Sequence, residues 1–259
     1  MMKILLSNDD GYFAPGIQLL FETLQREIAF QSLVIMAPER NRSAASNSLT
    51  LLAPLRLHTH AMVNEVPNCY VYSVNGTPTD CVHLGVNGGL GYQPDIVLSG
   101  INAGANMGDD VIYPGTVAAA TEGRFLGKPS IAISLCGDQH FETAAHVVVD
   151  FLRRLPEMAL NSDTIININV PDIPLEELKG VKVTRLGKRH VSEAIVKQKD
   201  PRGLPIYWIG PAGSAADAGE GTDFHAVESG YASITPLKID LTNYEMMQQL
   251  THWATNYTS

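Results

Sequence analysis

Short apolar runs recur through the first two thirds of the chain, and each ends in a loop rich in Asn, Asp, Gly or Ser. Ile4-Leu5-Leu6, Ser32 to Ala37, Cys69 to Asn75, Asp95 to Ile101, Ser130 to Leu135 and Thr164 to Val170 read as strands. Between them, Ile17 to Arg26, Val117 to Leu126 and Thr143 to Leu155 carry apolar residues at helical spacing. A further helix is expected to start at Thr79 or Asp80 and run through Leu84, and Leu55 to His60 alternates as a half-buried strand does. The run from Asp95 has almost no polar interruption, the pattern of a central parallel strand covered on both faces. Strand and helix in alternation describe an α/β fold, with a mostly parallel, doubly wound sheet between helices.

Beyond Val170 the texture changes. Val181 to Leu186 and Tyr207 to Gly210 read as strands, separated by polar, Pro- and Gly-bearing stretches such as Gln198 to Gly203. Ala212 to Gly221 reads as a small-residue loop, Thr222 to Gly230 as a connector or short helix, and Tyr231 to Ile234 as a strand. This is the pattern of an antiparallel excursion too thin to bury a core of its own, so it is expected to pack on another subunit or fold over the site. Tyr244 to Asn256 closes the chain as a helix, and the stripe Leu250, Trp253, Tyr257 predicts core packing.

In an open α/β sheet, ligands bind beyond the carboxyl ends of the strands, so the loops there are where chemistry is expected. The first is Asn8-Asp9-Asp10-Gly11. Adjacent carboxylates repel and lose hydration together, a cost that a divalent cation or a proton relieves. The competing reading makes Asp9 a helix cap and Asp10-Gly11 a turn. Glu39 to Thr50 is dense in Arg, Asn and Ser, whose hydroxyls cap helices or ligate a hard cation. Asn102 to Asp110 carries Asn102, Gly104, Asn106 and Gly108. Glycines let backbone approach a ligand, and Asn oxygens ligate a hard metal without adding charge; an ordinary flexible connection is the alternative.

Tyr113-Pro114-Gly115-Thr116 then opens a helix whose first N–H groups are free to bind an anion such as phosphate. No Gly-Lys-Ser/Thr follows it, and no Gly-x-Gly-x-x-Gly follows the first strand. Neither a P-loop nor a dinucleotide-binding site is therefore indicated. His58 and His60 share a strand face but have no third ligand nearby, and they read as surface histidines.

Composition narrows the partners. A content of 45% hydrophobic and 17% charged residues over 259 positions supplies a real core and argues against global disorder. The formal net charge of −9 disfavours a nucleic acid polymer as partner, while leaving room for a small anion held by a metal or a helix N-terminus. Cys69, Cys81 and Cys136 are too sparse and scattered for a disulfide framework or a zinc site. No apolar run approaches the ~20 residues that span a bilayer, so no membrane is expected as partner. Met1-Met2-Lys3 leads directly into a strand with no secretion signal pattern, and a cytoplasmic protein is expected.

Several segments in order resemble those of the SurE family of stationary-phase survival proteins, which are metal-dependent 5′/3′-nucleotidases. They are LLSNDDG at Leu5 to Gly11, APERNRSAASNSLTL at Ala37 to Leu51, GTPTDCV at Gly76 to Val82, and SGINAGANMGDDVIYPGT at Ser99 to Thr116. WIGP and GTDF follow later, so the resemblance covers nearly the whole chain. It implies a three-layer α/β/α, Rossmann-like fold over residues 1–259, with 185–235 as an antiparallel arm used in oligomerisation. A homodimer or homotetramer is the expected assembly.

The resemblance also implies a site. Asp9, Asp10, Ser43 and Asn102 would hold one divalent cation per subunit, an oxygen-only set that suits Mg²⁺ or Mn²⁺ rather than zinc. The phosphate of a nucleotide substrate would sit near Asn106 and the backbone of Gly115 and Thr116. The implied reaction is hydrolysis of nucleoside monophosphates to nucleoside and phosphate, with 3′-nucleotides and polyphosphate as further candidates. Attack by water, with Asp9 or Asp10 taking its proton, is favoured over attack by Asp9 itself, because both carboxylates are committed to the metal. The chain departs from many relatives at Pro114, where they carry serine, and at Ala44, where they often carry glycine. A metal- or nucleotide-sensing protein without turnover is the runner-up, and a purely structural oligomer the third reading.

Overall fold

A computed structural model describes residues 1–43, 45–61, 66–89, 91, 93–158, 160, 163–189, 195–209, 213–255 and 257. Ala44, Gly210, Pro211, Ala212 and Asn256, named above, lie outside the described residues. The elements in order are β1 (Met2–Ser7), α1 (Pro15–Glu27), β2 (Phe30–Pro38), β3 (Leu57–His60), β4 (Cys69–Val74), α2 (Pro78–Val86), β5 (Ile96–Ala103), α3 (Gly115–Phe125), β6 (Ser130–Cys136), α4 (Phe141–Arg154) and β7 (Ile165–Pro171). They continue with β8 (Val181–Val183), β9 (Lys188–Arg189), β10 (Val196–Lys199), β11 (Pro205–Trp208), β12 (Ala215–Asp217), α5 (Asp223–Glu228), β13 (Ala232–Leu237) and α6 (Tyr244–Thr255).

A nine-stranded sheet in the order β3-β4-β2-β1-β5-β6-β7-β13-β8 forms the middle layer. Strands β4, β2, β1, β5, β6 and β7 are parallel, while β3 and β13 run antiparallel to their neighbours β4 and β7. Successive strand residues point to opposite faces. Ile4, Leu6, Ile35, Leu98 and Ile133 accordingly pack with Ile17, Leu20 and Leu24 of α1 and Val148 and Leu152 of α4. Leu5, Val34, Met36 and Val97 pack on the other side with Val82 and Val86 of α2 and Ala119 of α3. That double cover is why these strands have no polar alternation, and the α/β/α expectation is met.

Helix starts account for the shifted boundaries. Thr77 is the N-cap of α2, forming a reciprocal capping box with Asp80, so the helix begins at Pro78 rather than at Thr79 or Asp80. The N-cap of α1 is Ala14, with no side-chain cap, so Asp9 does not serve as the helix cap considered above.

The excursion is narrower than residues 185–235. β10 and β11 form an antiparallel hairpin with Val196 opposite Trp208, and β9 pairs with β12. From Ala232 onward the chain is back in the central sheet as β13. β10, whose sequence is Val-Lys-Gln-Lys, has no apolar alternation to mark it. The stripe of α6 is corrected more sharply. Leu250, Trp253 and Tyr257 are 56%, 60% and 69% exposed, and α6 has no buried residue, because none of the described residues covers that face. No helix among the described residues is long and apolar enough to cross a membrane.

Candidate metal and phosphate site

Sheet order decides where the chemistry gathers. β1 lies between β2 and β5, so the loops leaving these three strands emerge side by side at the carboxyl edge. Asn8 closes the β1 loop on itself: its Nδ2 donates to the Gly11 carbonyl at 2.9 Å and its Oδ1 accepts the Gly11 N–H at 3.1 Å. That turn sends Asp9 inward and Asp10 toward the two neighbouring loops.

Asp10 is the crossing point. Its Oδ1 accepts from Asn41 Nδ2 at 3.1 Å, in the β2 loop, and its Oδ2 accepts from the Ala103 N–H at 3.3 Å, at the end of β5. Asn41 Oδ1 in turn accepts both the N–H and the hydroxyl of Ser43, at 2.8 and 2.6 Å. The Arg42 N–H donates to the Asp9 carbonyl at 2.7 Å, a second tie between the β1 and β2 loops. Asn102 donates its amide nitrogen to the Gly104 carbonyl at 2.8 Å, which leaves its side-chain oxygen as the group for a cation. Asp9, Asp10 and Ser43 are thus linked through one chain of contacts, and Asn102 joins it through its neighbour Ala103.

Asp9 sits against the start of α3 and is only 3% exposed. Thr116 Oγ1 donates to Asp9 Oδ1 at 2.5 Å. Gly115 allows the approach: a Cβ there would lie 2.6 Å from Asp9 Cβ and 3.0 Å from Pro78 Cγ. Burial pushes the Asp9 carboxyl above its ordinary range and the charge of Asp10 adds to this, outweighing the Thr116 hydroxyl and the Gly115 N–H that favour its ionised form. Burial also pushes Asp10 up, against the contributions of Ala103 and Asn41. Two carboxylates strained in this way, a hydroxyl and an amide oxygen make an oxygen donor set that fits a hard divalent cation. Among the described residues no group of three or more His, Cys, Asp or Glu gathers.

Asn106 stands apart from this chain of contacts. It is buried, its N–H donates to Asn169 Oδ1 and its Nδ2 to Ser134 Oγ, both at 2.8 Å, and its carbonyl accepts from Asn167 and Asn169, both at 2.9 Å. Its hydrogen bonds run to β6 and β7 rather than to the carboxylates. His60 bonds Ser73 Oγ at 2.8 Å and stacks on Tyr12, the position of a structural histidine.

Several residues with evident roles escaped the sequence reading. Asn41 joins two expected ligands. Asn167 and Asn169 hold the β5 loop; their signal was two polar residues on one face of an otherwise apolar strand. Asp223, fully buried at the first turn of α5, accepts the Gly108 N–H at 2.7 Å and the Gly187 N–H at 2.8 Å. Gly108 has φ of +69°, and a Cβ there would lie 2.8 Å from the Phe224 ring. Arg189 completes the joint: its N–H donates to Asp109 Oδ1 at 3.0 Å and its Nε lies 2.7 Å from Asp110 Oδ2.

Comparison with known proteins decides the family, since the profile of the survival protein SurE family matches residues 4–193. This chain belongs to the SurE family. It is 67% identical over 255 residues to a protein of Hydrogenovibrio crunogenus named 5′-nucleotidase SurE, covering 98% of this chain and 99% of the relative. A 5′-nucleotidase SurE of Methylococcus capsulatus is 56% identical over 254 residues, with 97% of each chain covered. The crystal structure of SurE from Aquifex aeolicus superposes with a TM-score of 0.82 at 45% identity, over 97% of this chain and 99% of that one. The motif segments Leu5 to Gly11, Ala37 to Leu51, Gly76 to Val82 and Ser99 to Thr116 all lie inside the SurE match.

Proposed function

We propose that this SurE protein is a divalent-metal-dependent phosphomonoesterase that hydrolyses nucleoside monophosphates to nucleoside and phosphate, with 5′-nucleotides as its principal substrates. The observation that carries this reading is the contact between Asp9 and the first turn of α3. A carboxylate pair that calls for a cation lies against a helix start that calls for an anion, and a phosphate monoester meets both demands. The names of the close relatives point the same way.

Asp9, Asp10, Ser43 and Asn102 would hold one Mg²⁺ or Mn²⁺, which when bound supplies charge neutralisation for the phosphoryl oxygens and a more acidic water. The N–H groups at the start of α3, around Gly115 and Thr116, orient the phosphate and stabilise charge developing on its equatorial oxygens. Pro114 has no hydroxyl to add, so the backbone alone serves at that end. Asn106 fixes the turn of the β5 loop beside the phosphate. With both carboxylates committed to the cation on this reading, neither is free to attack phosphorus. Water is the nucleophile on this reading: its oxygen bonds to phosphorus as the ester P–O bond breaks, Asp9 or Asp10 takes its proton, and the departing nucleoside oxygen takes a proton from solvent.

The same reading makes residues 1–259 one domain whose arm, within 185–235, reaches a second copy in a homodimer or homotetramer. The uncovered apolar stripe of α6 and the exposed Tyr207 and Trp208 of the hairpin support such an assembly. Free Cys69, Cys81 and Cys136 agree with a reducing cytoplasm.

Phosphate release tests the proposal. The panel contains 5′- and 3′-nucleoside monophosphates, a short polyphosphate and ribose 5-phosphate, each with Mg²⁺, Mn²⁺ or a chelator. Turnover of 5′-nucleotides with metal and none with chelator is the expected result. Nucleotide binding without release of phosphate would replace the hydrolase by a sensor. Release from 3′-nucleotides or polyphosphate defines the breadth of the activity.

A further inference from the structure

We infer that Asn41 is a positioning residue for the cation site, holding Asp10 and Ser43 in ligating posture before a cation arrives. The inference rests on the reading of Asp9, Asp10, Ser43 and Asn102 as cation ligands. It starts from a fork of three contacts. Asn41 Nδ2 donates to Asp10 Oδ1 at 3.1 Å, and Asn41 Oδ1 accepts the Ser43 N–H at 2.8 Å and the Ser43 hydroxyl at 2.6 Å.

Chemistry fixes which end of the amide faces which partner. An ionised carboxylate only accepts and a backbone N–H only donates, so the nitrogen must face Asp10 and the oxygen must face Ser43. The same logic places the Ser43 proton. An amide oxygen has no hydrogen to give, so the Ser43 hydroxyl points its hydrogen at Asn41, and the lone pairs of Oγ are left for a cation. On the other side, Asn41 and the Ala103 N–H hold the two oxygens of Asp10 from opposite loops, which fixes the plane of the carboxylate.

A simple turn within the β2 loop explains part of this, because Asn side chains commonly accept N–H groups two residues on. It does not explain the bond to Asp10, which lies 31 residues away and in the loop of another strand. Both Asn41 and Ser43 are exposed, so these contacts add little to the core. Their consequence falls on the posture of the ligands. Outer-shell partners of this kind typically change metal affinity or activity by about 10–100-fold when removed.

The test uses the full-length protein stripped with a chelator, and Mn²⁺ as probe, followed by calorimetry and by the electron spin resonance signal of free Mn²⁺. Asn41→Ala is expected to raise the dissociation constant for Mn²⁺ at least about tenfold. The urea midpoint of the metal-free protein should stay unchanged, and kcat should recover at saturating Mn²⁺ while the Mn²⁺ concentration for half-activation rises. Asn41→Gln, which keeps the same groups on a longer stem, should lose affinity as well. Ser43→Ala with Asn41→Ala should lose less affinity than the two single losses combined, because part of the Asn41 effect runs through Ser43 and only the part through Asp10 remains. Equal Mn²⁺ affinity in wild type and both Asn41 variants overturns the inference, as does full additivity with Ser43→Ala. A wild-type protein that binds no Mn²⁺ removes the cation reading itself, and this inference with it.

Discussion

Thr116 Oγ1 donates to Asp9 Oδ1 at 2.5 Å, so the first turn of α3 grips one carboxylate of the Asp9-Asp10 pair by its inner oxygen. Both residues are buried, Thr116 completely. A hydrogen bond to a charged group in such a place contributes about 1.5–3 kcal/mol. Thr116→Val keeps the shape and removes the donor. It is expected to lower kcat/KM for a nucleoside monophosphate roughly 10–100-fold, with Thr116→Ser restoring most of the loss. A Thr116→Val enzyme with wild-type kcat/KM would show that the contact orients nothing.

Gly115 makes that grip sterically possible. A methyl group at this position would lie 2.6 Å from Asp9 Cβ and 3.0 Å from Pro78 Cγ, so either Asp9 or the starts of α2 and α3 must move. Overpacking of this kind costs about 1–3 kcal/mol. Gly115→Ala should therefore lower the denaturation midpoint modestly and lower kcat more severely, since roughly 1 Å of misplacement at a reacting centre can cost ~100-fold. Thermal unfolding and steady-state phosphate release on the same preparation separate the two effects.

The sheet was legible because its strands are buried on both faces: Leu5 and Leu6, adjacent in sequence, enter different cores and leave an unbroken apolar run. The acidic loop and the Gly-Thr helix start were legible because each has a local chemical demand. What joins them was not. Asp223 reaches Gly108 across 115 residues, and before folding it looks like any acidic residue at a helix start. Asn41 looks like one more polar residue in a polar loop. The stripe of α6 was recognised correctly as apolar, yet periodicity reports that a face must be covered and says nothing about which molecule covers it.

Asp9 and Asp10 both carry folded-state carboxyls raised above the ordinary 3.8, chiefly by burial. A raised acid binds its proton more readily in the folded state than in the unfolded one. Its contribution to stability is therefore present below 3.8 and is lost as pH rises through the folded value. The chelated protein should lose stability from these two groups as pH rises from that point toward neutrality. Asp9→Asn removes one of the charges. At neutral pH it should unfold at higher urea than wild type in chelator, while losing hydrolysis entirely. Added Mn²⁺ should stabilise the wild type and not the variant. The opposite order, with Asp9→Asn the less stable chelated protein, would mean that Thr116 and the α3 start more than offset the burial of the charge.

Asp223 tests whether the arm and the site are mechanically joined. Its two oxygens accept N–H groups from Gly108 in the β5 loop, Gly187 at the base of the arm, and Phe224 in its own helix. Asp223→Ala leaves the Gly108 and Gly187 donors buried without partners, at about 1–3 kcal/mol each. Asp223→Asn keeps one acceptor but turns a donor toward the other N–H, so it should recover only part of the loss. Because Gly108 follows Asn102 and Asn106 in one loop, the damage should reach the site. Asp223→Ala is expected to show faster proteolysis between residues 185 and 222 and a raised KM for the nucleotide. Wild-type KM with an arm cut open by protease would mean that the joint holds the arm alone and leaves the site indifferent to it.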